Sequence, residues 1–131
     1  MVVDTSAILA IFLDEPERAV LLKVIGAADR LLISAGTVLE AGIVLESRRG
    51  YAAGREFDLF LHTASFETVA VDADQVEIAR TAWRKYGKGR HPAALNYGDC
   101  FAYALAKSSG EPLLAKGNDF AQTDLLMGTT G

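Results

Sequence analysis

The strongest constraint on the fold is an alternation: short β-branched or apolar runs at residues 1–3, 31–33, 66–71 and 113–115 are separated by longer stretches with helical spacing. Strands alternating with helices imply right-handed crossovers and a mainly parallel sheet covered on both faces. Local signals place the helices between them. Thr5 or Ser6 opens one that stops near Asp14. There Asp14, Pro16 and Glu17 spell a capping-box-like start for a second helix carrying Val20, Leu21, Val24, Ile25 and Ala28. Gly36 and Thr37 lead into a third with Val38, Leu39, Ile43, Val44 and Leu45, ended by Gly50, and a fourth covers residues 53–63. Asp72 and Gln75 start a long amphipathic helix running through Trp83 toward Gly87. After a loop over residues 87–96, Asn96 caps a last helix closed by Gly110.

At 131 residues, half of them hydrophobic, the chain has the material for one domain with a core that needs no disulfide. A single cysteine, Cys100, cannot bridge internally, and no Cys/His spacing suggests a zinc cage. A reducing cytoplasm is the expected location. The apolar start is broken by Asp4 and then by Asp14, Glu15 and Pro16, well short of the ~20 residues that cross a membrane. A net charge of −4 argues against a surface that is basic throughout, although residues 80–91 concentrate Arg80, Arg84, Lys85, Lys88, Arg90 and His91. Residues 127–131 are expected to fray as a tail.

Acids fall where a parallel sheet has its ligand crevice, at the carboxyl ends of the strands. Asp4 ends the first strand, Glu40 and Asp99 are expected in the first turns of helices, and Asp119 follows the last strand. Each has an ordinary explanation: Asp4 as a helix cap, Thr37 to Glu40 as a capping box, Asp99 three residues after the Asn96 cap. Together, carboxylates converging on one crevice would repel and recruit a cation. Oxygen ligands without thiols or paired histidines suit Mg²⁺ or Mn²⁺, a preference that points to chemistry on phosphates.

Four segments in this order, VVDTSAILAIFLDEP, VLEAGIVLE, LNYGDCFAYALAK and PLLAKGNDF, resemble the PIN-domain ribonucleases, and among them the VapC toxins of type II toxin-antitoxin pairs. The resemblance covers nearly the whole chain and implies a single PIN-like domain over residues 1–131, with a three-layer α/β fold. It implies Mg²⁺- or Mn²⁺-dependent hydrolysis of structured RNA such as tRNA or rRNA by activated water, leaving 5′-phosphate ends. Asp4, Glu40 and Asp99 match the family's acids, with Thr5 or Ser6 supplying a supporting hydroxyl. Asp119 is the candidate for the fourth, since the place that carries an additional aspartate in many relatives is Gly117 here. A homodimer and a cognate VapB-type antitoxin that covers the pocket, commonly with an arginine among the carboxylates, are also implied.

For RNA contact, Lys88, Arg90 and His91 stand out by their loop placement, and Lys116 by its position near the last strand's end. Trp83 reads as a packing residue from its helical spacing to Ala79, Cys100 as a small apolar filler, and His62 as structural. Ile11, Phe12 and Leu13 suit either the core or an interface. Two other functions are compatible with the residues: a noncatalytic RNA- or protein-binding module of the same fold, and a Mg²⁺-dependent phosphatase. The second is disfavoured because Ser6 stands where a phospho-aspartate site usually has its second acid.

Overall fold

The computed structural model describes residues 1–128. Its elements run β1 (Val2–Val3), α1 (Thr5–Phe12), α2 (Arg18–Ala27), β2 (Leu32–Ser34), α3 (Ala35–Arg49), α4 (Tyr51–Thr63), β3 (Glu67–Val69), α5 (Ala73–Tyr86), α6 (Tyr97–Ser109) and β4 (Leu113–Leu114), followed by a 3₁₀ turn (Phe120–Gln122). The strands form one sheet in the order β3-β2-β1-β4, and every pairing is parallel. The expected helix-flanked parallel sheet is therefore the observed one.

Successive side chains on a strand point to opposite faces, and this divides the core in two. Val3, Ile33 and Leu114 face one cluster, built with Ile8, Leu21, Leu45 and Phe57 of α1 to α4. Val2, Leu32 and Leu113, their immediate neighbours in sequence, face the other, built with Ala82, Tyr86, Tyr103 and Leu105 of α5 and α6. Strands buried on both faces read as continuous apolar runs rather than alternating ones, which is why VV, LLI and LL mark them. The apolar early residues belong to the first cluster: Ile11 is buried, and the Phe12 ring meets Phe57 and Phe60 edge-on at 5.8 and 5.4 Å.

Helix starts at the strand ends are capped by side chains. Asp4 Oδ2 accepts from the Ser6 amide, Ser34 Oγ from Gly36, and Asp72 Oδ1 from Gln75. At α6, Asn96 and Asp99 exchange bonds in a full capping box, and Gly110 closes the helix in the left-handed region at φ 73°.

Two local expectations are corrected. Asp14 caps nothing: it adopts φ 53°, α2 begins only at Arg18 without a side-chain cap, and Asp14 instead lies 3.4 Å from Arg18. The Pro16 turn takes up the residues that would have formed the first helical turn. Thr37 is likewise not a cap, because Ser34 starts α3 three residues earlier; Thr37 is buried inside the helix and Glu40 falls in its second turn. The run at 87–96 is the expected loop, tied by Lys88 N–H donating to Leu95 O and Leu95 N–H to Tyr86 O, both at 2.9 Å.

Met127 forms a parallel bridge to Leu113, and Gly128 N–H donates to Leu113 O at 2.7 Å, so the stretch expected to fray is held at its start; residues 129–131 lie outside the described residues. Among the described residues no helix is long and apolar enough to cross a membrane.

Candidate active site

The carboxyl ends of β1, β2 and β4 lie side by side in the sheet, and the segments leaving them carry the acids. Asp4 is set by two backbone demands at once. Its amide donates to Leu114 O at 2.9 Å, continuing the β1–β4 pairing, and its Oδ2 caps α1 through Ser6 N–H at 3.0 Å. The residue is 2% exposed, and Oδ1 is buried without any hydrogen-bond partner among the described residues. Burial, with the charges of Asp99 and Glu40 adding to it against the opposing bonds from Ser6, pushes the Asp4 carboxyl up to about 7. Capping therefore occupies one oxygen and leaves the other free of any structural role.

Glu40 reaches the same place from the second turn of α3. Thr5 Oγ1 donates to its Oε1 at 2.6 Å, and its carboxylate lies against the backbone of α6 at Gly98. A Cβ at position 98 would overlap Glu40 Oε2, so only glycine admits this approach. Gly98 was not anticipated from the sequence; its place beside Asp99 was the one available signal. A second close approach joins the same helices, where the Phe101 ring packs on Gly36.

Asp99 is half-buried in the first turn of α6. Burial raises its carboxyl above the ordinary range; the Asn96 amide opposes this, and the charges of Glu40 and Asp119 add to it. Asp119 precedes the 3₁₀ turn, is exposed, and meets the group through Asp99. Gly117 sits at φ 86°, a conformation that disfavours any side chain there, so the loop reaches Asp119 without an acid two residues earlier. Ser6 links the two ends of the site, its Oγ accepting from Lys116 N–H at 2.9 Å.

Asp4 thus feels the charges of Asp99 and Glu40, and Asp99 those of Glu40 and Asp119. Among the described residues no three His, Cys, Asp or Glu side chains stand as a preassembled metal cage. The donor chemistry nonetheless fits a hard divalent ion: every candidate ligand is a carboxylate oxygen, and Asp4 Oδ1 is a buried acceptor with nothing to accept.

The basic candidates separate. Lys116 Nζ is 2.6 Å from Glu15 and 3.9 Å from Glu17, so its charge is already engaged. His91 Nδ1 accepts from Ala93 N–H, and its ring stands edge-on to Tyr86 at 5.1 Å, which makes it a loop-packing residue. Lys88 is exposed. Arg90 lies over the Trp83 ring at 4.4 Å, and Trp83, expected to pack, is 43% exposed. His62 is exposed at the end of α4, away from the acids in sequence and element, while Cys100 is buried with its thiol pushed up by burial and by Asp99.

An α/β sheet with acids gathered at its strand ends defines a class of carboxylate-lined phosphate-chemistry sites, and comparison with known proteins narrows it. Residues 1–126 match the PIN domain family. The chain is 56% identical over 125 residues to Ribonuclease VapC of Mycolicibacterium smegmatis, covering 95% of this chain and 97% of that one. It is 53% identical to Ribonuclease VapC30 of Mycobacterium tuberculosis, covering 95% of both. The chain therefore belongs to the PIN domain family and, within it, to the VapC ribonucleases. Solved structures agree on the fold. Mycobacterium tuberculosis VapC20, a sarcin-ricin loop cleaving toxin, superposes with a TM-score of 0.78 at 19% identity over 95% of both chains. A toxin-antitoxin complex from Klebsiella pneumoniae gives 0.75 at 19% identity, over 99% of this chain and 97% of that one.

Proposed function

We infer that this chain is the endoribonuclease toxin of a type II toxin-antitoxin pair, hydrolysing structured RNA with the help of Mg²⁺ or Mn²⁺. The observation that carries the reading is the unpartnered buried oxygen of Asp4, with Glu40 and Asp99, from segments distant in sequence, near enough for their charges to act on that carboxyl. Asp4, Glu40 and Asp99 would hold the ion, with Asp119 at the rim. A bound divalent cation supplies a more acidic water and neutralises charge developing on the phosphate.

The chain's own groups supply position. Thr5 fixes the Glu40 carboxylate, Ser6 ties the Asp119 segment to the start of α1, and Gly98 lets α3 and α6 close around the acids. Burial of Asp4 strengthens the electrostatic interactions of its carboxyl. A VapB-type antitoxin is the partner, a reading supported by toxin-antitoxin complexes among the similar folds, including VapBC2 of Rickettsia felis; a homodimer is part of the same proposal.

The test is end-mapped cleavage of total RNA by the purified, antitoxin-free chain with Mn²⁺, beside a chelated control and Asp99→Asn. Discrete cuts with 5′-phosphate ends, absent from both controls, are expected. A folded, metal-binding chain that leaves all RNA intact would instead make it a binding module, the reading that Gly117 favours.

A further inference from the structure

A cleft of about 440 Å³ opens between α5 and α6, its lining mostly apolar, within the size range of small-ligand sites. Trp83 and Tyr97 line it, 43% and 81% exposed, and Phe101 stands edge-on to Tyr97 at 5.0 Å. Arg90 lies over the Trp83 ring at 4.4 Å, so the Tyr97 ring and the remaining surface of Trp83 are what the cleft leaves open. Arg80 and Arg84 also line the cleft. Neither is within salt-bridge distance of any described carboxylate, whereas Arg18, Arg30, Lys107 and Lys116 all have acidic partners. Gln75, 4% exposed, contributes an Oε1 that is buried without a hydrogen-bond donor.

We propose that this cleft is a nucleobase subsite, in which an unpaired base of the RNA strand stacks on Trp83 and Tyr97 while Arg80 and Arg84 hold the adjoining phosphates. The proposal rests on the RNA reading above and extends it. A purely apolar occupant would leave two guanidinium groups without counter-charge, whereas a nucleotide supplies a flat ring, hydrogen-bond donors for Gln75 and a phosphate together. Tyr97 and Phe101, four residues apart, share the cleft face of α6, and Asp99 falls on the opposite side of the same turns, so a strand engaged at the acids reaches the cleft by passing around the start of the helix.

Trp83 is the chain's only tryptophan, so its emission reports on the cleft directly. With chelator present, a short single-stranded RNA should quench that emission saturably. The same strand carrying abasic positions should bind about tenfold more weakly, and Tyr97→Ala should weaken the intact strand about tenfold with little change in melting. Replacing Arg80 and Arg84 with Gln should flatten the salt dependence of binding, by about 0.7 in logarithmic slope for each phosphate no longer neutralised. Equal affinity for intact and abasic strands would overturn the subsite. So would a Trp83 emission that shifts on dilution without RNA, which would mean that a second copy covers the cleft. Metal-dependent cleavage persisting without base-dependent quenching would sink the subsite alone; base-dependent quenching without any cleavage would sink the nuclease reading and keep the subsite.

Discussion

Thr5 Oγ1 donates to Glu40 Oε1 across 35 positions of sequence, at 2.6 Å, and so ties the helix that follows β1 to the helix that follows β2. A short hydrogen bond to a carboxylate holds one rotamer of a long side chain that would otherwise sweep a wide volume. Thr5→Val should reduce cleavage well beyond its effect on folding, with a stability loss of about 1 kcal/mol by denaturant titration. Thr5→Ser should restore both; unchanged cleavage in Thr5→Val would remove Thr5 from the positioning of Glu40.

Gly98→Ala separates site geometry from stability. The added methyl would strike the end of Glu40, a flexible group able to move aside, while alanine favours helix over glycine by about 1 kcal/mol. Melting should stay level or rise while cleavage falls sharply. A variant with normal cleavage would show that Glu40 does not need its place against α6.

The metal-free protein should lose stability as pH rises. The Asp4 carboxyl titrates near 7 in the fold against 3.8 as its ordinary value, so between these the folded state binds more protons than the unfolded one and the slope is negative. The contribution is fully present below about 4 and gone above about 7, on the order of a few kcal/mol. Asp4→Asn should flatten this part of the profile and be the more stable form at pH 8. A wild-type profile that rises across the window would contradict a buried, unpaired Asp4.

Adding Mn²⁺ at pH 8 should reverse that cost, because an ion bound only by the native arrangement stabilises it by about 2.7 kcal/mol at a hundred times its dissociation constant. The melting midpoint of the wild type should climb through a titration while that of Asp4→Asn stays nearly flat. Parallel curves would mean that the ion binds elsewhere.

Lys116→Ala should leave RNA affinity and its salt dependence unchanged, since Glu15 and Glu17 already engage the ammonium group. A clear loss of affinity would return Lys116 to the RNA-contacting set.

Local chemistry made much of this legible in the sequence. Asp72 with Gln75, Asn96 with Asp99, and Gly110 act within one helical turn, so their roles can be read from adjacent letters, and VV, LLI and LL declare strands buried on both faces. What escaped was set by competition or by tertiary packing. Asp14 and Thr37 both had cap-like spellings, yet a turn at positive φ displaced the first and an earlier cap, Ser34, displaced the second. Gly98 matters only because Glu40 arrives from another helix. Trp83 keeps the spacing of a packing residue, but α6 leaves a cleft beside it, and spacing along one helix carries no information about the width of the gap to the next.

The β1–β4 pairing has a consequence for synthesis of the chain. Asp4 is translated well before Leu114, yet its amide donates to Leu114 O, and Ser6 Oγ accepts from the Lys116 amide. A nascent polypeptide still short of β4 therefore lacks the support that places Asp4, and the ribosome making it carries an incomplete nuclease until Leu114 and Lys116 have cleared the exit tunnel.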